Sequence, residues 1–195
     1  MPKLRGNFKA MSRAVMSIPV IVFLVLSFTF MPGVVAAQNW TGRLSVSEYK
    51  LRAAYLYNFS KFIRWPESAF ESKESAFVIG LLGEDVPMAI SELLKSRTIG
   101  SRPIKVREYR TGESMDGCHL LYLHSSQKWK PVLRTLKSSR VITVGDAPSF
   151  ADDGGAIQFV TIRNRLRFII NLKAPGFAGV DLDSRLLSLA LEIKK

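Results

Sequence analysis

The chain has 195 residues, of which 47% are hydrophobic, and it carries 28 Lys and Arg against 16 Asp and Glu. Its single cysteine, Cys118, excludes an intramolecular disulfide, so the fold must depend on a hydrophobic core. A formal net charge of +12 is typical of proteins that bind nucleic acid. Whether such a partner is expected depends on where the protein is located, which the N-terminal sequence indicates.

The first 37 residues have the organisation of a secretory signal peptide. Four cations and no acid precede an apolar run over residues 15–30, and the small residues Ala36 and Ala37 follow. The pattern predicts cleavage after Ala37. An uncleaved membrane anchor is the alternative, because residues 15–37 could just span a bilayer. Under both alternatives the rest of the chain is exported.

Residues 38–195 are predicted to form a single domain. The N-terminal segment carries four of the 28 cations and no acid, so the mature chain of 158 residues keeps a net charge of +8. An exported protein meets little nucleic acid, and the cations are scattered along the chain. The sequence therefore predicts a solvated basic face and no nucleic-acid partner.

The mature chain opens with a well-marked helix. Ser45 and Glu48 form a capping box, and Leu44 and Tyr49 are placed as its hydrophobic staple. Apolar residues at spacings of four, four and three predict one buried stripe, made of Leu51, Tyr55, Phe59 and Phe62. Pro66 predicts that the helix ends near residues 63–64, because proline disfavours helical backbone at the preceding residue.

Strands and helices alternate through the central part of the chain. Continuous apolar runs over residues 76–83, 118–124 and 140–146 predict buried strands, whereas the alternation over 102–109 predicts a half-exposed or edge strand. One helix is predicted over residues 126–139. Another is opened by Asp85 and Pro87, and its predicted inward face comprises Ile90, Leu93 and Leu94.

The last third contains a predicted hairpin and a final helix. Two strands meet around Arg163 and Asn164, and asparagine tolerates positive φ. Asp181 or Asp183 is placed to cap the helix, whose predicted inward residues are Leu186, Leu187, Ala190 and Ile193. The order of elements predicts an α/β fold: a single three-layer domain with a mixed, mostly parallel sheet, a C-terminal β-hairpin and flanking helices.

Motifs for catalysis or cofactor binding are missing from the sequence. It has no phosphate-binding glycine loop, no nucleophile elbow and no zinc-protease motif. Its two histidines, His119 and His124, lie on a predicted strand at positions that diverge, and so do Cys118 and His119. We therefore expect no catalytic residues, no metal and no cofactor. Cys118 is expected to be buried; the alternative is an intermolecular disulfide.

Three polar loops follow predicted strands and are the candidate ligand contacts. They contribute Glu84 and Asp85 after the first buried strand, Ser125 after the second, and Asp146 after the third. Open α/β sheets bind ligands at the carboxyl ends of their strands. For Asp146, capping of the turn at residues 148–150 is the alternative to a ligand role.

Taken in chain order, six segments resemble the YfiR family of exported bacterial regulators. They cover nearly all of residues 46–193 and read KLRAAYLYNFSKFIRWP, FVIGLLGED, TIGSRPIKVREY, CHLLYLHSS, VITVGDAPSFADDGGAIQFV and RLRFIINLKAPGFAGVDLDSRLLSLA. The resemblance implies an α/β fold and a regulatory protein without enzymatic activity.

The resemblance also implies the partners. Similar proteins bind the periplasmic domain of an inner-membrane diguanylate cyclase, which lowers cyclic-di-GMP production and biofilm formation. An outer-membrane lipoprotein that sequesters the repressor is a further expected partner, and dimers are common, so a homodimer is expected. Cys118 sits at a family-like position, but this chain lacks the cysteines that would close disulfides with it.

Two surfaces are candidates for the partner contact. The first lies where the opening helix ends and comprises Asn58, Lys61, Arg64 and Trp65; Trp and Arg are enriched at binding hot spots. Local packing of these residues is the alternative. The second is the basic hairpin tip, whose alternative is a solvated turn, and it comprises Arg163, Arg165 and Arg167.

Three functions remain in competition on sequence grounds. The first is a periplasmic regulatory protein that represses a membrane-bound cyclase. A periplasmic small-molecule binding or sensor protein is the second, motivated by the three polar loops. The third, an exported enzyme using Asp146, His124 or His119, is disfavoured because the spacing offers no converging acid–base pair.

Overall fold

A computed structural model describes residues 45–83, 88–125, 127–137 and 139–195. The predicted signal peptide, residues 1–37, lies outside the described residues. All the described residues belong to one compact unit, Thr41–Lys195. None of the helices described there is long and apolar enough to cross a bilayer.

The first helix, α1, spans Val46–Phe62 and begins with the predicted capping box. The Ser45 hydroxyl oxygen accepts from the Glu48 amide at 3.3 Å, and Glu48 Oε2 accepts from the Ser45 amide at 2.7 Å. Ile63 already has extended backbone, which confirms the predicted helix end. Leu44 of the predicted staple lies outside the described residues.

The predicted apolar stripe of α1 is partly wrong. Leu51 is 45% exposed, and the face that α1 buries is centred on Leu56. Five residues, or about 140° of helix rotation, separate the two side chains. The buried face carries polar as well as apolar residues, namely Tyr49, Arg52, Ala53, Leu56, Phe59 and Ser60. A count of apolar residues alone therefore mislocates its centre.

The remaining elements follow the predicted alternation. The helices are α2 (Met88–Lys95), α3 (Trp129–Thr135) and α4 (Ser184–Leu189). The strands are β1 (Ile63–Arg64), β2 (Phe77–Leu82), β3 (Thr98–Ile99), β4 (Arg102–Tyr109), β5 (Leu120–Leu123), β6 (Ile142–Gly145), β7 (Ile157–Ile162), β8 (Arg165–Asn171), β9 (Asp181–Leu182) and β10 (Glu192–Lys194).

The main sheet has eight strands in the order β10-β8-β7-β6-β5-β2-β4-β3. It is mixed and mostly parallel, as predicted: β4, β2, β5, β6 and β7 run parallel, and β10 runs parallel to β8. The antiparallel contacts are those of β7 with β8 and of β3 with β4. Strands β1 and β9 form a separate antiparallel pair.

Helices cover both faces of the sheet, which confirms the three-layer α/β fold. On one face, Leu56 of α1, Ile90 of α2 and Leu186 of α4 join a core with the inward residues of β2, β5 and β6. On the other face, Val132 and Leu133 of α3 pack with Leu121 and Leu123 of β5. The predicted inward face of α2 is partly wrong, because Leu93 is 39% exposed.

The C-terminal third confirms the hairpin and corrects the last helix. Arg163 and Asn164 have φ angles of 48° and 60°, the backbone that a two-residue hairpin turn requires. Asp183 caps α4, but the helix ends at Leu189, so the prediction of a helix reaching Ile193 is wrong. Residues 192–194 instead pair with β8 as the sheet's edge strand, which satisfies backbone groups that a longer helix would withdraw.

Candidate functional site

A buried polar cluster lies at the carboxyl ends of β5 and β6, beneath the N-terminal half of α1. Arg52 Nε lies 3.4 Å from Asp146 Oδ2, and the two side chains are 6% and 7% exposed. The Tyr122 hydroxyl donates to the same carboxylate oxygen at 3.0 Å. Beside this ion pair, the Tyr49 hydroxyl oxygen lies 3.3 Å from His124 Nε2. We call these five side chains the α1 clamp.

Local structure brings the α1 clamp together. Tyr49 and Arg52 are three residues apart, so both lie on the buried face of α1. Tyr122 points to the same side of the sheet as the α1 core residues. Asp146 follows Gly145, where a Cβ atom would come within 2.6 Å of the Phe150 ring. Because Gly145 has no Cβ atom, the Phe150 ring can pack directly against the backbone at the turn that carries Asp146.

The electrostatics of the α1 clamp favour a structural role. Burial, and then the nearby Asp146 carboxylate, raise the pKa of Tyr122 well above its usual value, so its hydroxyl stays protonated and donates. Arg52 Nε and Asp146 Oδ1 have no hydrogen-bond partner among the described residues, although the two charges are close. Breaking a buried ion pair by removing one partner typically costs about 3–5 kcal/mol. The clamp therefore ties α1 to the sheet.

Asp146 does not cap the turn at residues 148–150, because its carboxylate contacts Arg52 and Tyr122. Its ligand role stays a prediction. Of the other predicted ligand-loop residues, Glu84 and Asp85 lie outside the described residues, and Ser125 is exposed. Of the described residues in and next to these loops, His124 and Asp146 turn into the α1 clamp, whereas Gly83 and Gln127 line a crevice at the ends of β2 and β4.

This crevice has a volume of about 690 Å³. It lies beside β2, where the connection through α2 leads to β4 and the connection from β5 passes through α3 on the opposite face. Such a reversal of direction is where open α/β sheets place ligands. The described residues that line it are Leu82, Gly83, Glu108, Tyr109, Arg110, Thr111, Glu113 and Gln127.

The predicted contact residues at the end of α1 do not form one outward patch. Asn58, Lys61 and Arg64 are exposed, and Arg64 lies 3.5 Å from Asp181 across the β1–β9 pair. Trp65 is half-buried, and its ring packs edge-on against Phe77 with 4.7 Å between centroids. Trp65 therefore packs locally, whereas the other three side chains face solvent.

The second predicted contact surface is the hairpin tip. Arg163, Arg165 and Arg167 are all exposed, next to Ile162, which is 43% exposed. In the part of the chain that the structure describes, no carboxylate lies within 4 Å of these three guanidinium groups. The structure thus presents them together as a basic tip.

His119 and Cys118 are held in structural roles. His119 Nδ1 accepts from the Val78 amide at 3.1 Å, so its Nε2 carries the proton and donates to Ala69 O at 3.1 Å. Burial lowers the pKa of His119 and raises that of Cys118 to about 12, so the neutral forms prevail. Among the described residues, no three His, Cys, Asp or Glu side chains are grouped to hold a metal ion.

Sequence reasoning missed the α1 clamp, although two signals pointed to it. Arg52 lies between Tyr49 and Leu56 on the same helical face, and a buried cation needs an acidic partner. Asp146, directly after a buried strand, is a carboxylate placed to supply that partner. The pairing of Arg52 with Asp146 was not predictable without knowing that α1 crosses the carboxyl ends of β5 and β6.

The chain matches a family of known proteins over most of its length. A family model described as YfiR/HmsC-like matches residues 49–191. No curated protein matches the chain. The matched range runs from Tyr49 of the α1 clamp to the residue before β10, so among the described elements it includes the main sheet as far as β8, most of α1, and α2, α3 and α4. The chain therefore belongs to the YfiR/HmsC-like family.

Proposed function

We propose that this protein is an exported regulatory binding protein that represses an inner-membrane diguanylate cyclase. It binds the periplasmic domain of the cyclase and so lowers cyclic-di-GMP production and biofilm formation. The observation that carries the proposal is the family match over residues 49–191. The signal-peptide pattern of residues 1–37 supports export to the periplasm, where that domain would be met.

The geometry of the α1 clamp supports binding over catalysis. The carboxyl ends of β5 and β6 are where an α/β enzyme would place reacting groups, and here an ion pair and α1 fill that edge. His119 contacts Ala69 and Val78 outside the α1 clamp, whereas within the clamp His124 contacts Tyr49 and Asp146 contacts Tyr122 and Arg52. An acid–base pair would need two of them to converge on one substrate.

Deletion of the gene tests the proposal in the native host. Intracellular cyclic-di-GMP should rise in the deletion strain and return to the parental level when the full chain is restored. A matched control restores only residues 38–195, which stay in the cytoplasm and should not repress. Unchanged cyclic-di-GMP after deletion under several growth conditions, or full repression by the control, would contradict the proposal.

An outer-membrane lipoprotein and a second copy of the chain complete the proposed set of partners. The lipoprotein would compete with the cyclase for the repressor, so its overproduction should raise cyclic-di-GMP only in cells that carry this protein. Sedimentation velocity of the purified protein measures the homodimer directly, and a single monomeric species at micromolar concentration would rule the homodimer out.

A sensor of small molecules is the second candidate function, and the 690 Å³ crevice beside β2 favours it. Arg110, Glu108 and Gln127 offer charged and amide groups at its walls. A thermal-shift screen of periplasmic metabolites should find a compound that raises the melting temperature, and Arg110→Ala should reduce that shift. A flat screen, or a shift that Arg110→Ala leaves intact, would contradict a role of the crevice in ligand binding.

A further inference from the structure

A shallow groove runs between α1 and α2 on the outer surface. Its volume is about 260 Å³, and we call it the α1–α2 groove. The side chains that line it are Lys50, Ala53, Ala54, Tyr57, Asn58, Leu93, Leu94 and Arg97. None of the residues proposed above for the hairpin tip or the crevice belongs to it. Asn58 does, and Lys61 lies one turn beyond Tyr57.

The groove has an apolar floor open to solvent. Ala54 is exposed and Leu93 is 39% exposed. Leu51 lies beside the groove, one turn before Ala54 on α1, and is 45% exposed. Apolar side chains that are exposed next to one another on a protein surface mark interaction sites.

Cations surround this floor. Lys61 Nζ and Arg97 Cζ lie 5.5 Å and 5.2 Å from the centre of the Tyr57 ring, and Lys50 lines the groove itself. No described carboxylate forms an ion pair with any of the three. Among the described lining residues none is acidic; Glu92 is exposed on α2 but is not one of them. The groove therefore presents apolar contact area inside a positive rim.

The shape fits a helix and does not fit a strand. Both walls are α-helices whose backbone groups are already bonded within the helix, so an added strand would find no ladder to extend. Ridges of side chains on two packed helices leave a groove into which the ridge of a third helix can pack. Ala53 and Ala54 keep the floor low, which lets a third helix approach closely.

We propose that the α1–α2 groove is the docking site for an amphipathic helix with an acidic flank in the periplasmic domain of the target cyclase. The inference rests on the proposed function and names its contact surface. Apolar side chains of the helix cover Leu51, Ala54 and Leu93, while its carboxylates face Lys50 and Arg97. A second copy of this chain is a poorer occupant, because it would bring the same positive rim against the first.

Binding of the purified periplasmic domain of the host's cyclase tests the groove. The affinity of the protein, purified from the periplasm, is measured by titration calorimetry. Leu93→Glu and the charge reversal Lys50→Glu/Arg97→Glu should each weaken binding at least tenfold. The matched controls are Leu189→Glu, at a 57% exposed leucine on α4, and Lys105→Glu, at an exposed lysine on β4. Both controls should bind within twofold of the wild type.

Two further measurements keep the outcome unambiguous. Circular dichroism and the melting temperature establish that each variant is folded, and Ala54→Gln provides a second groove variant if Leu93→Glu unfolds. A photo-reactive amino acid at position 54 should cross-link to the cyclase domain at an acidic helical segment. A cross-link to a basic segment or to a strand would overturn the proposal.

The results separate this inference from the proposed function. If the wild-type protein does not bind the domain, the proposed function fails and the groove proposal falls with it. If the wild type binds and the groove variants bind equally well, the groove proposal alone fails. It also fails if Leu93→Glu converts a dimer to a monomer without affecting the cyclase, or if the groove variants instead lose binding to anionic phosphatidylglycerol vesicles.

Discussion

Removal of one charge from the α1 clamp should destabilise the fold far more than removal of an ordinary surface charge. Arg52→Met leaves the Asp146 carboxylate buried without its cation, and Asp146→Asn leaves the guanidinium without its anion. The amide of Asp146→Asn keeps an oxygen that can accept from Tyr122. The double variant Arg52→Met/Asp146→Asn removes both charges and leaves neither of them stranded.

The burial of the pair sets the magnitude. Both side chains are 7% exposed or less and lie 3.4 Å apart, so solvent cannot replace the lost partner. Each single variant should lower the free energy of unfolding by about 3–5 kcal/mol, and the double variant should recover much of that loss. For a domain of this size, such a loss lowers the melting temperature by roughly 6–20 °C.

Urea unfolding followed by circular dichroism at pH 7 measures these free energies, and the four proteins form a double-mutant cycle. Arg64→Met is the matched control, since Arg64 also lies within 3.5 Å of an aspartate, Asp181, but its side chain is 66% exposed. The control should lose no more than about 1 kcal/mol. If Arg52→Met behaves like Arg64→Met, and the cycle shows no coupling, the α1 clamp does not hold α1 to the sheet.

Three further predictions concern the same core. Gly145→Ala should cost about 1–3 kcal/mol in urea unfolding, because its Cβ would lie 2.6 Å from the Phe150 ring; an unchanged midpoint would mean that the ring moves aside freely. Cys118, 7% exposed and with its pKa raised to about 12 by burial, should react with a thiol reagent only after unfolding, and labelling of the native protein would contradict that burial. Burial depresses the pKa of His119 below 6.5 in the folded state, so the unfolded chain takes up the proton first. Stability should therefore fall as the pH drops through 6.5, and His119→Gln should reduce that fall; equal pH profiles for the two proteins would exclude His119 as its source.

Local signals in the sequence were sufficient for most of the elements. The Ser45–Glu48 box and Pro66 mark the ends of α1, because a cap and a proline act within one turn of backbone. The same holds for the turn at Asn164, where both central residues adopt positive φ. These features need no knowledge of the rest of the chain, and the structure confirms each of them.

The errors arose where distant contacts decide the outcome. Residues 192–194 continue an apolar helical pattern, yet they form β10 because the edge of β8 offers unpaired backbone groups. Leu51 belongs to an aromatic-rich stripe, yet it faces solvent because α1 turns its Arg52 side toward Asp146. In both cases the deciding partner lies more than twenty residues away in the chain.

Of the two candidate contact surfaces, one was predictable from the sequence and the other was not. The basic residues of the hairpin tip were predictable, since a two-residue turn exposes its neighbours. The α1–α2 groove was not, because it exists only where two helices from separate parts of the sequence pack side by side. No local pattern indicates that Lys50 and Arg97 line the same groove.

The proposed function is the binding of a diguanylate cyclase from the periplasmic side. Its most direct test is the rate of cyclic-di-GMP synthesis by the host's full-length cyclase in proteoliposomes, measured with GTP on the cytoplasmic side. Addition of the purified protein to the periplasmic side should suppress synthesis in a saturable manner. A rate that stays unchanged at micromolar concentrations of folded protein would contradict the claim.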